Sequence, residues 1–274
     1  MVTIDGIDIR TYGACLIDGS YESLLGMPPL KEVEKNDWYE YDGIEVDLSS
    51  VSLQKREVNL CFLVSGGSPD AFVRALYEPD GIREFSFSDI ALTVGLRVDT
   101  VNNVFISGDR LFTKVKVKCY QDRFDVSGDV PMPPLVTGLN EFRIDDVELA
   151  TYGVTVLTGL KALEFPVPMK RGYTTMSKYS EGETYHGRAE ARRKTRDVQF
   201  DLLMKYPTAE GFWERWRAFL HVLSSPGEHV IFHNDREYKF HYVSCTCKAV
   251  NSVYGLWAKM TLTVRLIDPL GKWV

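Results

Sequence analysis

Residues able to do chemistry gather near the end of the sequence. His229, His233, His241, Cys245 and Cys247 all lie between positions 229 and 247. On an extended strand, side chains at i, i+2 and i+4 point to one side. Imidazole and thiol groups from this run could then converge on one ion, and zinc takes four such donors. The spacings match no standard zinc pattern, and the first half of the chain has no histidine. Half-buried strand residues explain the run without a metal. These five residues are kept as metal candidates only, and no resident metal or cofactor is assigned.

Other chemical readings are thinner. Ser65-Gly66-Gly67-Ser68 precedes a helical stretch, as phosphate loops do, but it lacks their lysine and glycine spacing. It reads as a flexible lead into a helix. Neither a Gly-x-Ser-x-Gly elbow nor a His-Glu-x-x-His pair occurs. The acidic pair Asp145-Asp146 falls in a turn, where Asp is favoured for its backbone hydrogen bonds. The basic run Arg188–Arg196 could contact nucleic-acid phosphates. It could equally be a solvated or partner-facing strand side, because no stacking aromatics are interleaved. Trp213 and Trp216 sit at helical spacing with Phe212, Phe219, Leu220 and Leu223, which describes a core face. No catalytic residue is assigned, and the chain is read as a non-enzyme.

The elements that must position these residues come from a chain of 274 residues, 45% hydrophobic and 26% charged. That balance is globular and too apolar for wholesale disorder. No apolar run reaches the ~18 residues needed to span a bilayer. The start lacks a basic segment followed by an apolar one, so no signal peptide is expected. Five cysteines, an odd number scattered through strand-like stretches, point to a reducing compartment and against a disulfide framework. A net charge of −6 argues against a DNA-coating protein.

The sequence repeats itself. Residues 4–19 align without a gap on 144–159, with identities at Ile4/Ile144, Asp5/Asp145, Thr11/Thr151, Tyr12/Tyr152, Gly13/Gly153 and Gly19/Gly159. The same offset places Arg56-Glu57-Val58-Asn59-Leu60 on Arg196-Asp197-Val198-Gln199-Phe200. The period is too long for a solenoid unit and long enough for a domain with its own core. Two tandem domains follow, 1–128 and 139–274. They are joined by a stiff linker over 129–138 whose Val130-Pro131-Met132-Pro133-Pro134 removes backbone donors.

Each copy is expected to be mainly β, a barrel or sandwich with one helix. It opens with a short strand, a turn, and a second strand running through Tyr12 or Tyr152. Gly13 and Gly153 in that strand suggest a bulge or a close backbone approach. Turn-rich segments follow at 20–44 and 160–190, then alternating strands, then the helix. The first helix is expected from Ser68-Pro69-Asp70 onward, the second over 208–223.

The copies differ in charge. Residues 1–138 hold 13 basic and 22 acidic side chains, net −9, and 139–274 hold 19 and 16, net +3. Opposite charge on two similar folds favours alternating head-to-tail contacts. A six-membered ring of one fold would then become three duplicated chains with pseudo-six-fold symmetry.

The opening Ile4-Asp5-Gly6-Ile7-Asp8-Ile9-Arg10-Thr11-Tyr12-Gly13 is similar to the start of phage distal tail proteins. There a strand and hairpin lead into a glycine followed by an aromatic-glycine pair, here Gly6 and Tyr12-Gly13. Met169-Lys170-Arg171-Gly172, Tyr185-His186-Gly187 and Arg196–Phe200 also resemble that family's loop and strand. The resemblance covers most of each copy and is closer in the second.

The resemblance implies a tail-tube-like fold forming rings around a channel, as in tail tube, distal tail and baseplate hub proteins. Hub proteins of contractile-tailed phages carry two such domains per chain and form pseudo-six-fold trimers, whereas distal tail proteins often pair one tube domain with a different second domain. It implies a virion structural role in a phage or prophage tail, assembled in the bacterial cytoplasm. The implied partners are further copies, as a trimer or hexamer, and other tail proteins. DNA would pass the lumen without specific binding, and no membrane is involved.

Segments 20–44 and 160–190 are the candidate arms for covering neighbouring sheet edges, with a mobile surface loop the alternative for Ser177–Tyr185. Two other readings stay open. One is a carbohydrate- or protein-binding adhesin-like module. The other is a metal-dependent enzyme around His229, His233 and Cys247.

Overall fold

The computed structural model describes residues 1–17, 19–65, 69–105, 112–124, 130–136, 142–179, 181–187 and 192–273. The chain is mainly β. In the first half, β1 (Val2–Ile4) and β2 (Ile7–Asp8) form a hairpin. A 3-10 turn over Ile9–Tyr12 leads to β3 (Ala14–Leu16) and a short helix, α1 (Tyr21–Leu25). A small hairpin, β4 (Lys35–Asn36) with β5 (Glu45–Val46), precedes β6 (Arg56–Ser65) and α2 (Pro69–Tyr77). β7 (Ile82–Phe87), β8 (Leu92–Phe105) and β9 (Phe112–Gln121) finish the half.

The second half repeats this order. It runs β10 (Arg143–Ile144), β11 (Val147–Glu148), a 3-10 turn over Leu149–Tyr152, β12 (Val154–Thr158) and α3 (Lys161–Glu164). The hairpin β13 (Tyr173–Met176) with β14 (Glu183–His186) follows, then β15 (Asp197–Tyr206) and α4 (Ala209–Leu223). β16 (His229–His233), β17 (Arg236–Asn251) and β18 (Leu256–Leu266) complete the sheet, and β19 (Lys272–Trp273) is added on β17.

The two sheets share one strand order, β2-β1-β7-β8-β9-β6-β3 and β11-β10-β16-β17-β18-β15-β12. In each, the two edge strands are joined by a single 3-10 turn, so the sheet must curl until its edges approach one another. Strict alternation drives the packing. Val58, Leu60, Phe62 and Val64 of β6 point inward, as do Val198, Phe200, Leu202 and Met204 of β15. β8 and β17 carry a bulge at matching places, Val98/Thr100 and Tyr242/Ser244.

Local chemistry repeats as well. Asp5 and Asp145 both take positive φ, 48° and 49°. Each accepts a backbone N–H from the facing strand, Glu84 at 2.8 Å and Val230 at 2.8 Å. The stretches Ile9–Tyr12 and Leu149–Tyr152 are 3-10 turns rather than the continued strands read from the sequence. Gly13 and Gly153 end them in the left-handed region, and a Cβ on Gly153 would lie 2.9 Å from the Lys205 carbonyl. The close backbone approach expected there is present, but a turn, not a bulge, causes it.

Each half has a second, short helix that periodicity did not reveal, because four or five residues are too few to show it. α2 begins at Pro69; Ser68 and the glycines before it lie outside the described residues. α4 starts where expected, capped by the Thr208 hydroxyl accepting from Gly211 N–H.

One arginine in each half closes the short helix. Arg56 donates to the carbonyls of Leu24 and Gly26, both at 2.6 Å, and to Gln121 at 2.5 Å. Arg196 donates to the carbonyls of Leu163 and Phe165 at 3.0 Å. These carbonyls are the orphan acceptors of a helix C-terminus. Burial pulls the Arg56 guanidinium down to about 10, so it stays charged at neutral pH.

The cores of the two halves, expected from the sequence to be separate, are continuous. Side chains of both sheets form one buried apolar cluster. α4 bridges them, with Trp213 Nε1 donating to the Ile90 carbonyl at 2.6 Å and Trp216 Nε1 to the Leu25 carbonyl at 2.9 Å. The tryptophan stripe is core, as its spacing indicated.

Removing Arg56 takes its donor away from the buried Leu24 and Gly26 carbonyls. Arg56→Ala is expected to lower folding stability by about 3 kcal/mol or more, and Arg196→Ala, which is less buried, by less. Urea denaturation midpoints measure both, and equal losses would contradict this ranking.

Candidate assembly surface

The five metal candidates are placed apart and individually engaged. His229 Nδ1 meets Asp145 Oδ2 at 2.6 Å, while its Nε2 faces the Ser225 carbonyl at 3.2 Å. This pair stands where Arg83 and Asp5 pair in the first half. His233 lies against Phe142 and sits 4.0 Å from Glu164. His241 Nδ1 meets the Tyr242 carbonyl at 3.1 Å. Cys247 Sγ donates to the Ala249 carbonyl at 3.4 Å, and burial pushes its thiol up to about 12. Cys245 is fully buried, and its thiol is raised further by the same cause. No group of three His, Cys, Asp or Glu able to hold a metal occurs among the described residues.

Three of them, His241, Cys245 and Cys247, flank a contact between the halves. β17 runs well past the end of β16, which pairs with it only over His229–His233 and Arg236–Phe240. Beyond Phe240 that edge would be bare. Residues 26–30 of the first half cover it, with Met27 N–H donating to the Cys245 carbonyl at 2.8 Å and Leu30 N–H to the Val243 carbonyl at 3.0 Å. The Tyr242 hydroxyl donates to the Pro28 carbonyl at 2.9 Å. Cys245 therefore matters here for its backbone and for its small, buried side chain.

The β4–β5 hairpin extends this contact. Lys170 Nζ donates to the carbonyls of Trp38 at 2.6 Å and Gly43 at 2.8 Å, and pairs with Asp37 at 2.5 Å. Its side chain is only 4% exposed. Gly43 N–H donates to the Arg193 carbonyl at 3.0 Å, and Ile44 N–H to that of Ile267 at 3.2 Å. Arg193 N–H donates to Asp42 at 2.5 Å. Of the described part of the basic run, Arg193 thus meets the acidic hairpin of the other half through its backbone N–H and carbonyl. Arg188–Ala191 lie outside the described residues. Lys170 and Gly43 were not singled out in the sequence, although Lys170 recurs as Lys31 at nearly the repeat offset.

The counterpart hairpin β13–β14 makes no backbone hydrogen bond to the first half among the described residues. Phe165 is 62% exposed, and Met176, Tyr179 and Tyr185 are 81%, 86% and 64% exposed, against 50%, 50% and 68% for Trp38, Tyr39 and Tyr41 of the seated hairpin. β8 likewise outruns β7, whose pairing ends at Arg97. Past that point, no strand pairs with this edge of β8 among the described residues.

No protein-family model matches the chain, and no curated protein does. Among solved structures it is similar to the Dit protein (gp 19.1) of phage SPP1, described as a paradigm of the hub adsorption apparatus in phages infecting Gram-positive bacteria. The identity is 15%, over 96% of this chain and 97% of that one, with a TM-score of 0.32. At that level the likeness decides neither fold nor function. No helix among the described residues is long and apolar enough to cross a membrane.

His241 stands beside the covered edge and reports on it. Burial lowers its imidazole below the ordinary 6.5, helped by Arg265 and Lys35 and opposed by the Tyr242 carbonyl and Asp197. The unfolded chain then binds this proton at higher pH than the folded one. The stability this group contributes is complete above pH 6.5 and is lost as the pH falls below it. His241→Gln is expected to flatten that part of the acid loss, read by urea melts at about pH 7.5 and about pH 5.5.

Proposed function

We propose that this chain is a structural component of a phage or prophage tail, of the distal-tail or baseplate-hub kind, which builds a ring around a central channel. Its units are two copies of one ancestral fold, residues 1–128 and 139–274, with 129–138 as the joint. Part of that joint, 130–136, is described and carries no secondary structure.

One observation carries the reading. Inside a single chain, one half already docks on the other by elements whose counterparts in the second half are left open. A contact between unlike sites on two similar units is heterologous, and such contacts repeat until a ring closes or a filament grows. The net charges of −9 and +3 on the two halves favour the same alternation. The sequence resemblance to distal tail proteins supplies the setting. Three chains would present six similar folds around the axis, and other tail proteins would bind its faces.

Native mass spectrometry and negative-stain electron microscopy of the purified full chain test this. Rings of three or six chains are expected, populated more as concentration rises. A chain that stays monomeric throughout the micromolar range, and binds a glycan or protein in that form, would instead favour an adhesin-like module and overturn the ring.

A further inference from the structure

We infer that the β13–β14 hairpin of one chain seats on the first half of a neighbouring copy, over the groove at Leu53 and Asp122, and is gripped there by Lys31. This rests on the ring reading and adds the contact that joins one chain to the next.

The two hairpins are the same object in register. Lys35 pairs with Val46 and Asn36 with Glu45; 139 residues on, Thr174 pairs with Tyr185 and Thr175 with Thr184. Gly43 and its counterpart Gly182 both take positive φ, 70° and 75°. A Cβ on Gly43 would lie 1.9 Å from the Ile267 carbonyl, so only glycine lets that hairpin approach its seat. A Cβ on Gly182 would meet nothing within 4 Å. The same backbone has been kept where no partner within the chain requires it.

The seats correspond as closely. Lys170 N–H donates to the Arg192 carbonyl and Lys31 N–H to that of Ser52, which equates Lys170 with Lys31. The bridges Met169–Arg193 and Leu30–Leu53 equate Arg193 with Leu53. The pairs Asp197–Arg265 and Glu57–Tyr120 set β18 against β9 and equate Ile267 with Asp122. In the second half this seat holds the β4–β5 hairpin. In the first half it is a groove of about 410 Å³, lined by Ser52, Leu53, Asp122 and Phe124 and closed on one side by His221 and Ser224. Lys31, unlike Lys170, is exposed.

A second copy is the occupant because the one internal seat filled among the described residues takes a hairpin from the other half. The chain's own β13–β14 is already held at its base beside the first hairpin, with the Tyr173 ring 5.7 Å from that of Tyr39. In the joined pair, Lys31 Nζ donates to the carbonyls of Ser177 and Gly182, the counterparts of Trp38 and Gly43. Glu181 accepts from the Leu53 N–H, as Asp42 accepts from Arg193.

Carbodiimide coupling of the full chain at assembling concentration tests this, on a mixture of isotopically labelled and unlabelled protein. Mass spectrometry is expected to find interchain links from Lys31 to Glu181 or Glu183. Lys31→Glu is expected to raise the concentration for half-assembly about thirtyfold or more, since one partner of a buried charged contact is reversed. Its urea midpoint should stay at the wild-type value. Rings that give no such link, or that form equally well with Lys31→Glu, overturn the seat and leave the ring reading standing. A chain that never assembles overturns both.

Discussion

A long strand beside a short neighbour leaves a row of backbone donors and acceptors without partners. That constraint organises this molecule. β17 has 16 residues against 5 in β16, and β8 has 14 against 6 in β7. Bare edges of this kind recruit other strands. In the second half, residues 26–30 satisfy the edge from within the chain. The same segment brings the Pro28 carbonyl that Tyr242 binds, and Leu25 just before it brings the carbonyl that Trp216 binds, so edge cover and core continuity come from adjacent backbone.

The two halves hold their shape by the same few devices. An aspartate in a positive-φ turn ties the first hairpin to its neighbouring strand. An arginine ends the short helix, and a glycine ends the 3-10 turn. They diverge where they meet other surfaces. Leu76 of α2 becomes Trp216 of α4, which crosses to the first half. Arg83 at the turn becomes His229, which keeps the contact with its aspartate. Lys31 is solvated while Lys170 is buried. Interiors are preserved by packing, whereas surfaces follow whichever neighbour they meet.

Much of this was legible in the residues. The repeat offset of 140 matches β1–β3 and β6 to β10–β12 and β15, and drifts over the later strands, while alternation predicts the inner faces of β6 and β15. Helical spacing predicted that Trp213 and Trp216 are buried. The 3-10 turns read as strand in the sequence because Ile9–Tyr12 carries β-branched and aromatic residues; both turns end at a left-handed glycine, Gly13 or Gly153, and only the first also has a side-chain cap, Asp8 accepting from Arg10 N–H at 3.0 Å. The histidine and cysteine run invited a metal reading because strand periodicity puts side chains on one side. It cannot say that His229 meets Asp145, that His233 lies on Phe142, or that His241 and Cys247 reach backbone carbonyls.

The linear pattern by itself determined two similar β-rich halves, since periodicity and turn chemistry act over a few residues and survive in the order of the letters. Only the tertiary structure decided which half lies on which, since that depends on strand lengths and on carbonyls left over once each sheet is paired. Those leftover groups belong to no motif. They exist only after the sheets have formed, and they place Lys170 and Gly43 in the contact between the halves while leaving Lys31 exposed.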